Sequence, residues 1–199
     1  MKTTQFVACE KFPCTDVKHD RYNVPAIEID PLKVRLVLIS EAAAEDPADN
    51  YYLGQQALFA RTTLLAFNDA GYSVESIQDI LDLGVYLTTA VKCGKTSYAI
   101  QGKTIETCSH LLEAELALFP NVETYLLMGD VAIKAVNTIA KRLGQPRVIP
   151  AGSTYKIRGG SFTFQGRRAL PSYTQAGPSF FIEKSKRKMI AEDIALALK

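Results

Sequence analysis

Val34-Arg35-Leu36-Val37-Leu38-Ile39 is the stretch on which the fold turns. It is almost wholly apolar and rich in β-branched residues. Such a run suits a strand covered on both faces, as in a parallel sheet. The residues that follow, Ser40-Glu41-Ala42-Ala43-Ala44-Glu45-Asp46-Pro47, read as a polar loop at the strand's carboxyl end. Beyond them, residues 55–70 place Leu58, Thr62 and Leu65 at helical spacing, with Phe59 and Leu64 beside them. Gly71 closes that helix as a C-terminal cap.

The same alternation continues downstream. Residues 86–91 read as a second strand and residues 104–119 as a second long helix, stopped by Pro120-Asn121. Thr124-Tyr125-Leu126-Leu127-Met128 is a third strand, and Gly129 turns the chain into a helix over 131–143. Ser161-Phe162-Thr163-Phe164-Gln165 alternates between Gly159-Gly160 and Gly166, which predicts one arm of a hairpin. Residues 168–170 form a short strand running into Pro171-Ser172, and residues 183–199 a last helix. Strands alternating with helices predict a three-layer α/β/α sandwich around a central, mainly parallel four-stranded sheet. Ligands of such sheets sit at the carboxyl ends of the strands. That directs attention to residues 40–52, 88–93, Gly129 and 171–177.

Composition narrows the class. The chain has 199 residues, 47% of them hydrophobic and 22% charged, with a net charge of +2. This is enough for one domain over 1–199 with a real core. The small net charge imposes no global field, so contact with a polyanion requires a local basic patch. The N-terminus lacks the apolar core of a signal peptide, and no stretch approaches a membrane span, so a cytoplasmic protein is expected. No repeat or low-complexity segment occurs. Neither a Gly-x-Gly-x-x-Gly nor a P-loop sequence is present, which argues against a common nucleotide-binding fold.

Four cysteines stand out: Cys9 and Cys14 as Cys-x4-Cys, Cys93 and Cys108 as Cys-x14-Cys. Four thiolates drawn from two distant segments can hold one metal centre. Without a secretory signal, that reading is better than two disulfides. Zinc held by four cysteines, or small buried residues with free thiols, stay open beside it.

Several motifs occur in a specific order. Ile39-Ser40-Glu41-Ala42-Ala43-Ala44-Glu45-Asp46 follows the first strand, and Tyr52-Leu53-Gly54 precedes a long helix. Leu87-Thr88-Thr89-Ala90-Val91-Lys92-Cys93 ends the second strand, and Cys108 stands at the start of the next helix. Met128-Gly129-Asp130-Val131-Ala132, Ile157-Arg158-Gly159-Gly160-Ser161-Phe162 and Leu170-Pro171-Ser172 complete the series. In order and spacing these resemble the uracil-DNA glycosylase superfamily over nearly the whole chain. The nearest likeness is to its iron–sulfur-containing, thermophile-type branch.

The resemblance implies base flipping, excision of uracil or another deaminated base from DNA, and a monomer with DNA as partner and no membrane. It makes Glu41 the carboxylate that assists the attacking water, with Glu45 and Asp46 as weaker candidates. Ala42, Tyr52, Thr89 and Leu170 become the base-contacting positions, with Tyr51 replacing Tyr52 if the register slips by one. Pro171, Ser172 and Tyr173 match the loop that enters DNA. Arg158 and Arg168 lie near it, with Lys156, Arg167, Lys184, Lys186, Arg187 and Lys188 as a basic rim. The resemblance also makes Cys9, Cys14, Cys93 and Cys108 ligands of one four-iron, four-sulfur cluster, with zinc as the second choice.

Three departures matter. Thr89 stands where the family has asparagine, so a two-way amide is replaced by a shorter hydroxyl. Leu170 stands where the family has histidine, and a leucine cannot donate to a leaving base anion. The first cysteine pair has four intervening residues where the family has two. His19 and His110 fall at neither motif position and read as surface or outer residues. A superfamily member that binds nucleic acid or a free base without excision is the alternative these departures raise. The bland structural readings are an amide-capping carboxylate for Glu41, a core aromatic for Tyr52, a strand residue for Thr89 and an ordinary turn for 171–177.

Overall fold

A computed structural model describes every residue of the chain except Tyr98. Its strands are β1 (Val17–Lys18), β2 (Leu36–Ala43), β3 (Val85–Lys95), β4 (Thr124–Met128), β5 (Thr163–Phe164) and β6 (Arg167–Ser172). Its helices are α1 (Leu58–Asp69), α2 (Ile77–Asp82), α3 (Gly102–Leu116), α4 (Asp130–Arg142), α5 (Thr154–Ile157), α6 (Ser179–Ile182) and α7 (Lys184–Ala197). The strands form one sheet in the order β1-β3-β2-β4-β6-β5. The middle four, β3, β2, β4 and β6, are mutually parallel. The expected four-stranded parallel sheet is therefore present, and two short antiparallel strands extend it to six.

Two buried clusters flank the sheet, as the period-two alternation of a strand requires. Val37, Ile39, Tyr125 and Leu127 face α3 and α4. Leu36, Leu38, Leu126, Met128 and Leu170 face the opposite layer of α1 and α7. The amphipathic α4 buries Val131, Ala132, Val136 and Ile139 along one stripe.

The expected bounds shift in physically instructive ways. Residues 40–43 are strand rather than loop, because β2 continues in register with β3 through Ser40↔Thr89 and Ala42↔Val91. Small alanines there leave room for the covering layers. β3 also runs on to Lys95, since β1 pairs with its end through Val17↔Lys95 and Lys18↔Gly94. The hairpin is real but its first arm is only Thr163–Phe164. It turns at Gln165 and Gly166, both with positive φ, the backbone of a tight two-residue hairpin. Helix α2 has no counterpart in the sequence reading. Its start is a capping box in which the Asp79 amide donates to Ser76 Oγ and the Ser76 amide donates to Asp79 Oδ2. Among the described residues, no helix is long and apolar enough to cross a membrane.

Candidate active site and cysteine cavity

The carboxyl ends of the parallel strands gather Glu41 from β2, Lys95 from β3, Gly129 after β4 and the segment following β6. Glu41 is the focus. Its Oε2 accepts from Lys95 Nζ at 2.5 Å, and its Oε1 lies 3.4 Å from the amide of Val131 in the first turn of α4. The positive end of that helix favours a carboxylate there. Gly129 has φ of 100°, and a Cβ on it would lie 2.7 Å from Glu41 Oε1. Glycine is thus required twice, for the turn and for the carboxylate's approach. Glu41 is 20% exposed and Lys95 31%, so the pair is reachable from solvent. Glu45 instead pairs with Lys18, and Asp46 accepts from the Ala48 amide.

The expected base-contacting residues are placed as follows. Ala42 is buried in β2. The Tyr52 hydroxyl accepts from the Leu87 amide and donates to the Leu87 carbonyl, both at 2.9 Å, and so completes the open edge of β3. Its ring stacks against Tyr86 at 6.4 Å, and burial pushes its phenol well above the usual range, helped by Glu115 and Tyr51. Tyr51 is deeper: its hydroxyl meets Ser40 Oγ and accepts from Gln175 Nε2, with Gln175 itself fully buried. The Thr89 hydroxyl donates to the Val91 carbonyl of its own strand at 3.0 Å. Leu170 is a core residue paired with Leu126, two positions short of the end of β6.

The residues expected to meet DNA are tied largely to the protein itself. Pro171 is a strand residue opposite Leu127. The buried Ser172 hydroxyl donates to Asp193 Oδ2 at 2.6 Å. Arg158 makes ion pairs with Glu192 and Asp193 and donates to the Met189 carbonyl, pinning its loop to α7. Arg168 donates to the Leu196 carbonyl near the end of α7. Arg167 bonds Tyr125 and the Pro120 carbonyl, and Arg187 pairs with Asp69. Tyr173 is half-buried under the ammonium of Lys186, 5.3 Å from its ring. Among the described residues, Lys156, Lys184 and Lys188 of the expected rim carry no ion pair, so charge alone did not distinguish the free cations from the committed ones.

The four cysteines do converge. Cys9, Cys14, Cys93 and Cys108 all line one cavity of about 330 Å³, with Phe12, Tyr22 and both histidines on its wall. All are free thiols. Burial, reinforced by Cys108, Cys9 and Cys14 nearby, pushes the Cys93 thiol up to about 12. Burial also raises Cys108, against the opposing amide and charge of Lys92. Among the described residues, no three His, Cys, Asp or Glu side chains are grouped tightly enough for a single metal ion. Four thiols lining one open cavity supply the donor chemistry of a metal centre, whether a cluster or a single ion.

Sequence reasoning missed Lys95, Gln175 and the fully buried pair of Lys92 and Glu115. A lysine inside the apolar run Ala90-Val91-Lys92-Cys93 was a usable signal for a buried partner. His19 and His110 line the cysteine cavity, and His110 is also exposed at the surface, as expected of outer residues.

The family described as the Uracil DNA glycosylase superfamily matches residues 27–193. The chain therefore belongs to the uracil DNA glycosylase superfamily. A curated relative, the type-5 uracil-DNA glycosylase of Thermus thermophilus, is 27% identical over 99 residues, 50% of this chain. That match spans 45% of the relative's length. Among solved structures, the wild-type UNG of Nitratifractor salsuginis aligns at 12% identity over 85% of this chain and 75% of its own, with a TM-score of 0.39.

Proposed function

We propose that the chain is a DNA glycosylase that flips uracil or another deaminated base out of DNA and hydrolyses its N-glycosidic bond, in base excision repair. The placement of Glu41 supports this most directly. A carboxylate at the carboxyl end of a parallel sheet, held by a lysine and a helix N-terminus, can orient a water and face the charge that develops on the sugar. Family membership supports the same chemistry. In this reading Tyr52 offers its ring to the flipped base, and Ala42 supplies a small wall. With the Thr89 hydroxyl committed to its own strand and Leu170 in the core, the base edge is read by main-chain groups. Arg158, Arg168, Pro171 and Ser172 hold the DNA-facing loop in place, Tyr173 stands on its outer side, and the unpaired Lys156, Lys184 and Lys188 meet phosphates.

We infer that Cys9, Cys14, Cys93 and Cys108 hold a four-iron, four-sulfur cluster of structural role. It would tie the N-terminal segment to β3 and α3. Protein purified without oxygen should contain iron and sulfide and absorb in the visible range. Colourless, iron-free protein refutes the cluster, and stoichiometric zinc in its place moves the assignment to a single ion.

The function is tested by base release from oligonucleotides carrying uracil, hypoxanthine or xanthine, single- and double-stranded, with wild type beside Glu41→Gln. Release that the variant loses is the expected result. A folded, metal-replete wild type that binds these oligonucleotides and releases no base would establish the alternative, a member that binds without excising. Thr89 and Leu170 are the observations that favour that second reading.

A further inference from the structure

The glycosylase reading uses Glu41 and asks of its partner only that it hold that carboxylate. Lys95 Nζ lies 2.5 Å from Glu41 Oε2 at the rim of the site, and the lysine keeps 31% of its surface. The other lysines of this region are differently placed. Lys92 is fully buried against Glu115, and Lys18 is turned to Glu45. Resting on the glycosylase reading, a carboxylate that delivers water to C1′ of the sugar must stand close to that carbon. A primary amine touching the same carboxylate is then within reach of C1′ once the base has gone.

We propose that Lys95 is a nucleophile toward the abasic product, giving the protein a second activity: cleavage of DNA at abasic sites through an imine. In the ring-opened abasic sugar, C1′ is an aldehyde. The Lys95 ammonium passes one proton to Glu41, and the freed amine adds to C1′ to give a carbinolamine. The carbinolamine hydroxyl takes that proton back and leaves as water, so an iminium forms and Glu41 is again a carboxylate. Glu41 then removes a proton from C2′. The electron pair of that C–H bond forms the C2′–C3′ double bond, and the C3′–oxygen bond breaks with the 3′-phosphate as leaving group. Water hydrolyses the iminium to the unsaturated aldehyde and restores the lysine, and the proton on Glu41 passes to solvent. No redox partner enters the sequence.

The arrangement suits these steps. One carboxylate accepts and returns the proton at C1′ and then takes the one at C2′, the adjacent carbon. Lys95 closes β3, where β1 pairs with the strand through Val17↔Lys95, so its backbone is fixed by the sheet. Its side chain alone has to move from the carboxylate to the sugar.

The experiment supplies the abasic site ready-made, so that failure of base excision cannot be confused with failure of this step. A labelled duplex with one natural abasic site is incubated with the full protein, with and without sodium borohydride, which reduces an imine to a stable amine. Lys95→Ala, Lys95→Arg and a duplex carrying the tetrahydrofuran analogue, which has no aldehyde, run beside it. Binding of the tetrahydrofuran duplex and the circular dichroism spectrum report whether each variant is folded and docked. The expected result is a trapped covalent adduct and a cut strand with wild type, roughly a hundredfold or more reduced in both variants that still bind, and absent on the analogue. An adduct of unchanged yield in Lys95→Ala assigns the chemistry to another amine and overturns the proposal. So does a wild type that binds the analogue and yields no adduct, or one that binds neither duplex. Base release from the uracil duplex, scored separately, stands or falls on its own.

Discussion

Strand β3 carries two lysine–glutamate pairs three residues apart, and they are built for opposite ends. Lys92 and Glu115 have no exposed side-chain surface. Lys92 Nζ donates to Glu115, to Thr88 Oγ1 and to the Thr89 carbonyl, and Glu115 also accepts from Tyr86 and Thr88. Every proton of the ammonium is used. Lys95 and Glu41 share the same 2.5 Å contact but remain partly open at the rim, where among the described residues the Val131 amide, at 3.4 Å, is the one further hydrogen-bond partner of the pair. The alternation of a strand puts one lysine inside and the other at an edge, and the surroundings decide what each charge does. Inside, a pair can only hold the β3–α3 packing together. At the rim, a pair retains unused hydrogen-bonding capacity, which is what a reacting group needs.

The largest effect should come from breaking the buried pair. Glu115→Ala leaves the Lys92 ammonium unpaired in the core, and such truncations cost about 3–5 kcal/mol. Replacing both, as Lys92→Met with Glu115→Leu, should restore most of that loss. Denaturant unfolding of the single and double variants decides it, and a single variant of near wild-type stability would erase the distinction between the two pairs. Glu41→Gln should do the reverse. Base release should fall by about 10²–10³-fold, while stability moves by only about 1 kcal/mol because the pair is partly open to solvent. A Glu41→Gln protein that excises normally would leave both pairs structural.

Much of this was legible in the residues. The run 34–39 and the strand Thr124–Met128 gave the parallel sheet because doubly covered strands must be apolar throughout. The spacing of the four cysteines as two distant pairs did anticipate their convergence on one cavity, and the motif order did place Glu41 toward the carboxyl end of β2. Edge strand β1 was not legible, since two residues carry no period, whereas the arm at β5 was announced by the glycines on either side of it. The fate of the arginines was not legible either. Arg158 and Lys184 look alike in sequence, and only the three-dimensional approach of α7 gives Arg158 two carboxylates. Tyr52 reads in sequence as a stacking ring, and its hydroxyl turns out to complete the edge of β3, a contact between residues 35 positions apart that no local pattern encodes.

A third cation–carboxylate pair, Arg158 with Asp193, lies between the two extremes, at 18% and 5% exposure. Arg158→Ala should cost about 1–3 kcal/mol, because it strands the Asp193 carboxylate beside Ser172. If Arg158 serves only to hold its loop, the salt dependence of DNA binding stays as in wild type. If it also meets a phosphate, the slope of log affinity against log salt falls by about 0.9. Titrations at several salt concentrations separate the two.

The smallest effect is one of pH, and its sign runs against the intuition that an ion pair strengthens as its acid ionises. Burial raises the Asp193 carboxyl above its ordinary value of 3.8, and Glu192 reinforces this, although Arg158 and Ser172 pull the other way. The folded state therefore holds the Asp193 proton more tightly than the unfolded chain does. The stability this contributes is complete below the unfolded value and is lost as pH rises through the folded one. Asp193→Asn cannot titrate. The stability of wild type relative to Asp193→Asn should therefore be greatest below about pH 3.8 and decline toward neutrality, as followed by denaturant unfolding across that range. A difference that instead grows with pH would mean that Arg158 outweighs burial, and would place this pair with the open one at the rim rather than with the buried one on β3.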